Sequence, residues 1–354
     1  MTHREKVIAV IKGEKINIIP SLGECPMDVT VLKNLLPKST GNVVTDQINF
    51  ATFFNNSAVD VGIGINQKTI SRDETHHKYM YETGSVWLEK YVPTFCREAL
   101  QFPINSPEEA FTYKMPDANE EKRLDYKEMC RIVKAFHDAG YFVQGSVIGA
   151  WGAIYYYLTS FENILMWMAI EAEAAHAIFN MTKKFSLDSA KRLLECGVDC
   201  IFTASDLGSG NSLLFSCSMF YEYVFPWLKE LADLCHSYGA YLHLHSHGHI
   251  QDVMDGIVEA GVDIINPIGP SDHNDLAMFK ERWGDKIKIH GGISTTISHM
   301  TEQEMRDHIF SVIEIGRKGG RFFPRTESGI PPMSVEKTMA YINILKEARQ
   351  KGYI

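Results

Sequence analysis

The chain has 354 residues, 45% of them hydrophobic and 22% charged, with a formal net charge of −9. That balance supports a large core without disulfides or a structural metal, and its scattered basic residues give nucleic acid no track to follow. No apolar run is long enough to cross a bilayer, and seven irregularly spaced cysteines are expected to be reduced.

The first fifteen residues read as a short amphipathic helix without the apolar stretch of a signal peptide, so a cytoplasmic protein is expected. Eight short apolar runs follow, bounded by glycine, proline or polar clusters: INIIPSL from Ile16, VDVGIGI from Val59, YFVQGSV from Tyr141, VDCIFTA from Val198, AYLHLH from Ala240, VDIINP from Val262, KIKIHGG from Lys286 and GRFFP from Gly320. Helical patterns separate most of them, the mark of a parallel sheet with crossover helices. Eight strands alternating with helices predict a (β/α)8 TIM barrel, a single domain over residues 1–354. Between the second and third runs lies an insertion in which HKYMYETGSVWLEKYV predicts a hairpin laid over the barrel. The later helices, such as DLAMFKERWG and TEQEMRDHIFSVIEIGRKGG, each end near a glycine. Cys196 and Cys200 read as core residues rather than a metal clip.

The densest chemical signal is HLHSHGH, with His243, His245, His247 and His249 at alternate positions where the fifth run ends. Alternate strand residues share a face, and the carboxyl ends of barrel strands build active sites, so imidazoles converge there as for a divalent metal such as zinc. His245 and His247 are the expected ligands, His243 the candidate for orienting a ligand from behind, and His249 part of the helix start. Glu327, after the eighth run, reaches the same end of the barrel and is the expected carboxylate ligand; its other reading is a solvated loop residue. Asp206 in TASDLGSG reads either as a catalytic, substrate-facing carboxylate or as a turn cap. His290 is a further catalytic candidate, and Glu24, Cys25, Trp151 and Tyr155 are candidate substrate-binding residues lining the same cavity.

These residues sit in phrases that resemble the uroporphyrinogen decarboxylase superfamily over nearly the whole chain. DLGSGNSLLFSCSMFYEYVFPWLKELADLCHSYGAYLHLHSHG resembles its Asp-Leu-Gly segment, Ser-x-x-x-Phe helix and metal-binding strand; NPIGPSDHNDLAMFKERWGDKIKIHGGI resembles its Asp-Leu-x-x-x-Lys helix and Gly-Gly strand end; YKMPDANEEKRLD resembles its Pro-Asp segment. The decarboxylases carry an arginine-bearing segment after the first strand, and the corresponding IPSLGECPMDV has none, which argues against binding a highly anionic tetrapyrrole there. The methyltransferase branch, with its methylcobalamin:coenzyme M methyltransferases and corrinoid-dependent O-demethylases, instead has a zinc-binding His-x-Cys pair and a late Cys. His245 and His247 align with that pair, and Ser328, beside Glu327, falls where the late Cys would be.

The resemblance implies a methyltransferase that moves a methyl group from a small methylated substrate to the cobalt of a corrinoid (cobalamin). No corrinoid-binding module is read in the chain, so the corrinoid is expected on a partner protein. Replacing thiolates by imidazoles and a carboxylate leaves the metal a stronger Lewis acid, which points to a methyl ether as donor. Thiol methylation from methylcobalamin, porphyrinogen decarboxylation and a non-enzymatic corrinoid-recruiting module are the alternatives.

Overall fold

Buried β-branched runs make strands where helices cover both ends of the connection, and seven of the eight expected runs do so. A computed structural model describes residues 1–36, 38–92, 95–120, 123 and 125–354. Its parallel strands are β1 (Ala58–Ile63), β6 (Phe142–Ile148), β7 (Cys200–Ala204), β8 (Tyr241–His245), β9 (Ile264–Ile268), β10 (Lys288–Ile293) and β11 (Phe322–Thr326), paired in the order β1-β6-β7-β8-β9-β10-β11. Each neighbouring pair is also consecutive among the parallel strands, so the sheet curls in one sense as a half-barrel. Amphipathic helices, among them Tyr126–Asp138, Ala172–Glu195, Phe225–Ser237 and Glu302–Gly316, cover it on the outside.

The first expected strand is corrected. Residues 16–22 pair in no ladder. Pro20 and Pro26 lack the N–H a ladder needs, and the segment is tied across the gap between β1 and β11 by separate bonds instead. Ser57 N donates to Ser21 O at 2.7 Å, Ile330 N to Cys25 O at 3.0 Å and Met27 N to Ile330 O at 2.9 Å. Glu24 completes the tie: its carboxylate accepts from Thr326 N at 3.0 Å, Thr326 Oγ1 at 3.1 Å and Tyr341 Oη at 2.9 Å.

The expected hairpin is β3 (His76–Tyr81) with β4 (Val86–Lys90), and β2 (Gln67–Arg72) and β5 (Cys96–Gln101) extend it to a four-stranded antiparallel sheet. The outer two were not read because β2 is exposed throughout and β5 nearly so, leaving no alternation to see. A second correction concerns the cysteines. Cys130 and Cys196 form a disulfide, because helix Tyr126–Asp138 packs where helix Ala172–Glu195 ends and brings their Cα atoms to 4.5 Å. Cys200 is buried as expected, and Cys196 is half-buried against the core. No described helix is long and apolar enough to cross a membrane.

Candidate functional site

Two glycine-bearing loops meet above the carboxyl ends of β7 and β8. Gly208 N donates to His247 O at 3.2 Å and His249 N to Ser209 O at 2.7 Å. Gly248, with φ at +89°, lies so close to Gly208 that a Cβ there would strike its backbone, so this approach requires glycine. The contact fixes Asp206, whose Oδ1 accepts from His247 N at 2.8 Å, while its carbonyl accepts from Trp151 Nε1 at 2.7 Å. Asp206 thus anchors the His247 backbone as well as standing beside both imidazoles, whose charged forms it favours.

His245 and His247 meet edge to face with ring centroids 4.8 Å apart. His245 Nδ1 lies 2.6 Å from Asn266 Oδ1, and His247 Nδ1 lies 2.9 Å from Asp272 Oδ2. Both partners are oxygens, so in the neutral form of each ring Nδ1 carries the proton and Nε2 the lone pair. Burial lowers the His245 pKa, whereas the Asp272 carboxylate raises that of His247. Such carboxylate or amide support behind Nδ1 is how metal-binding imidazoles are usually oriented. His247 Nε2 faces the exposed Ser328, with Oγ at 3.0 Å.

Glu327 is near but turned aside. Its buried carboxylate accepts from Ser271 N at 2.8 Å, Ser271 Oγ at 2.5 Å and Thr295 N at 3.1 Å, and a Cβ on Gly269 would strike it. Among the described residues no three His, Cys, Asp or Glu side chains are placed to share a metal ion. The residues present therefore fit an ion through two imidazole nitrogens, with the oxygen of Ser328 and not a carboxylate or thiolate beside them.

Below this cluster, on the concave face of the sheet, lies a cavity of about 410 Å³. Its apolar wall includes Leu22, Phe50, Ala58, Val59 and Phe202; Phe202 also packs on His243 and His245 at 5.0 and 6.1 Å, linking cavity and histidine pair. Glu24, Cys25 and His290, three of the sequence candidates, line it, as do Asp60, Gln144 and Arg325, which were not singled out. Trp151 and Tyr155 do not: Trp151 is fully buried among Tyr155, Phe179 and Phe215. Burial, then the Asp206 charge, raises the Tyr155 phenol.

A chain of hydrogen bonds crosses the cavity floor. Gln144 Nε2 donates to Asp60 Oδ1 at 3.2 Å, His243 Nδ1 lies 2.9 Å from Gln144 Oε1, and His290 Nδ1 lies 3.3 Å from His243 Nε2. His243 therefore supports Gln144 and His290 rather than a ligand at His245. Burial pushes both imidazoles well below their ordinary pKa, with the Arg325 charge adding to it. The Asp60 carboxyl is open to the cavity but enclosed by protein, and that enclosure pushes it up to about 6 against the opposing pull of Arg325. His249 stands apart, its Nδ1 3.2 Å from His273 O.

A curled parallel sheet with polar groups gathered at its carboxyl ends and a ligand-sized cavity beneath them defines an α/β barrel-like class of enzyme fold. Residues 98–348 match the uroporphyrinogen decarboxylase (URO-D) family, and the chain belongs to it. No curated protein sequence matches the chain. Among solved structures, a methyltransferase from Methanosarcina mazei is similar with a TM-score of 0.69 at 15% identity, over 98% of this chain and 99% of that one. A B12-independent methionine synthase from Shewanella sp., in complex with selenomethionine, is similar with a TM-score of 0.51 at 12% identity, over 94% of this chain and 97% of that one. At these identities the likeness is one of fold.

Proposed function

We propose that this chain is a methyltransferase that moves a methyl group from a small methylated substrate, a methyl ether, to the cobalt of a corrinoid carried by a separate protein. The observation that carries the reading is the His245 and His247 pair. Each ring is fixed through Nδ1 by Asn266 or Asp272, Nε2 of His247 meets Ser328 Oγ, and His245 packs on Phe202, which lines a cavity able to hold a small molecule. Membership of the family and a methyltransferase among its structural neighbours support it.

His245 and His247 would hold zinc; Glu327, the carboxylate the sequence pointed to, is bonded to Ser271 and Thr295 and would have to give up those bonds to join them. When bound there, zinc supplies a Lewis acid that polarises the ether oxygen and stabilises the departing alkoxide or phenolate. The rest is the work of the chain itself. Asn266 and Asp272 hold the imidazole tautomers, Asp206 fixes the His247 backbone, and the cavity walls exclude water and position the substrate.

Elemental analysis of protein purified without an affinity tag should find about one zinc per chain. His245→Ala and His247→Ala should lose the metal and at least about a hundredfold of the rate of methylcobalamin formation from cob(I)alamin and methoxyarenes, while staying folded by circular dichroism. Full activity in metal-free protein, or methylation of thiols with no ether cleaved, would contradict the reading.

A further inference from the structure

The cavity is walled on one side by a helix and not by a strand. Gln144 and His243 line it from the concave face of the sheet, whereas Gln47, Phe50 and Ala51 line it from the helix Val43–Phe54, which packs against β1 and the helix Tyr126–Asp138. A covering helix reaches a space inside a curled sheet only where no strand stands between them, and β1 and β11, the two unjoined ends of the sheet, leave such a place. A second cavity of about 500 Å³ lies against the same helix, between it and Leu36, Ser39 and Gly41, and Gln47 and Phe50 line both spaces. Those two half-buried side chains are the partition between an outer space and the inner one.

The helix is fastened at one end. Its buried residues are Ala51 and Phe54, both in the last turn, and Asn56 ties down the chain beyond them. Asn56 N donates to Ala51 O at 2.8 Å, its side-chain oxygen accepts from Ser21 Oγ at 3.1 Å and Glu24 N at 2.9 Å, and its Nδ2 donates to Glu24 O at 3.0 Å. The first two turns, residues 43–50, are exposed or half-buried throughout. Their side-chain and capping hydrogen bonds, among the described residues, stay local: Thr45 N donates to Asn42 Oδ1 at 3.0 Å, and Asp46 accepts from Thr40 N at 2.8 Å and from the hydroxyls of Ser39 and Thr40. A segment with few buried groups and a cavity on either side opens at a lower free energy than the ladders of the sheet. We propose that this helix is a side door to the inner cavity: its first two turns, carrying Gln47 and Phe50, swing about the anchored last turn and join the two spaces, so that small molecules enter through the gap between β1 and β11 and not past the histidine pair. The passage does not depend on what the cavity binds or on methyl transfer. Under the proposed function it leaves the mouth of the barrel to the corrinoid-bearing partner while substrate and product come and go.

The free cysteines make an internal ruler for the test. Cys25 lines the inner cavity, Cys96 and Cys217 are exposed, and Cys200 and Cys235 are buried. The whole protein is treated with N-ethylmaleimide, and modification of each cysteine is followed by peptide mass spectrometry. Measured against Cys217, Cys25 should react at least about fivefold faster in Phe50→Ala and at least about threefold more slowly in Phe50→Trp, because the rate follows the population of the open form. Ser328→Tyr, which crowds the mouth, should change that rate by less than about twofold. Cys200 and Cys235 should stay unreactive in all three variants, which separates opening of the door from unfolding. In wild-type protein the amides of Gln47, Ile48 and Phe50 should be at least about tenfold less protected from hydrogen exchange than that of Asn56, a comparison that needs no variant to fold. A Cys25 rate indifferent to Phe50, a rate that follows Ser328 instead, or protection that is uniform from Gln47 to Asn56 would overturn the proposal.

Discussion

Asp60 shows how the cavity trades stability for chemistry. An acid whose pKa is raised in the folded state holds its proton where the unfolded chain has already lost it, so stability falls as pH rises through that interval and stays low above it. With an ordinary value near 4 and a folded value of about 6, the penalty is absent at about pH 4, grows between about pH 4 and 6, and is complete above. Asp60→Asn keeps an oxygen for Gln144 and removes the charge. Its thermal midpoint should exceed that of wild type at pH 7 to 8 by the equivalent of about 1 kcal/mol, a figure reduced because water in the cavity screens the charge. The gain should shrink to nothing near pH 4. A difference that does not depend on pH would mean that enclosure does not disfavour the charge. This residue was hidden in the sequence for the same reason as Gln144: each is a single polar position inside an apolar run, whereas Arg325 follows the eighth run among other polar residues. The signal that was present is Gln144 in the middle of YFVQGSV, a polar residue in a strand otherwise buried, which is where function is to be sought. By contrast His245 and His247 were legible because period two repeats the same chemistry on one face. Asn266 and Asp272, which orient them, come from the next strand and its following loop, and no spacing rule connects those to HLHSHGH.

At the scale of elements, the loop after β8 works because it touches the loop after β7. Gly248→Ala would force a left-handed backbone on a residue with a Cβ and drive that Cβ into Gly208, so it should cost more than about 2 kcal/mol and separate Asp206 from His247. Gly197 provides the control: its φ of +88° is as unfavourable for alanine, yet nothing lies within 4 Å of the added carbon. Gly197→Ala should lose only about 1 kcal/mol in denaturant unfolding and keep full activity, whereas Gly248→Ala should lose activity beyond its loss of stability. Equal effects of the two would show that backbone strain alone, and not the loop contact, matters at Gly248. Sequence reasoning located these loops through their glycines and located the later helices through their periodicity. It failed on Ile16–Leu22 because an apolar run bounded by polar residues looks like a strand whether or not its partners offer a ladder. The pairing is decided by Pro20 and by side chains from distant parts of the chain. The Cys130 and Cys196 bond was illegible for a related reason: 66 residues separate them, and only the packing of two helices brings them together.

For the molecule as a whole, the consequence is that the C-terminal end holds in place the N-terminal segment that walls the cavity. Arg349 is buried, and burial lowers its pKa to about 10; its guanidinium spans Ile19 O at 2.6 Å and Asn55 O at 3.1 Å, while Ile19 N returns a bond to Arg349 O at 3.0 Å. Tyr353 adds bonds from its N–H to Ile16 O at 3.1 Å and from its hydroxyl to Phe322 O at 2.6 Å. The gap between β1 and β11 is therefore spanned by side chains and single backbone bonds, where the rest of the sheet is joined by ladders, that of β9 and β10 with a register shift at Ile289–Gly291. Single bonds open one at a time, whereas ladder bonds open together with their neighbours. Amide exchange should accordingly be faster at Ile19, Met27, Ser57 and Ile330 than at the amides that bond within the ladder of β7 and β8. Arg349→Met fills a similar volume but leaves the buried Ile19 carbonyl and the half-buried Asn55 carbonyl without their donor, at a cost of about 1 to 3 kcal/mol. Its effect should be concentrated in the segment from Ile16 to Met27, and because Leu22 and Glu24 line the cavity, binding of a cavity ligand should weaken with it. Exchange accelerated uniformly over all strands would instead mean that the closing segment and the ladders open as one unit.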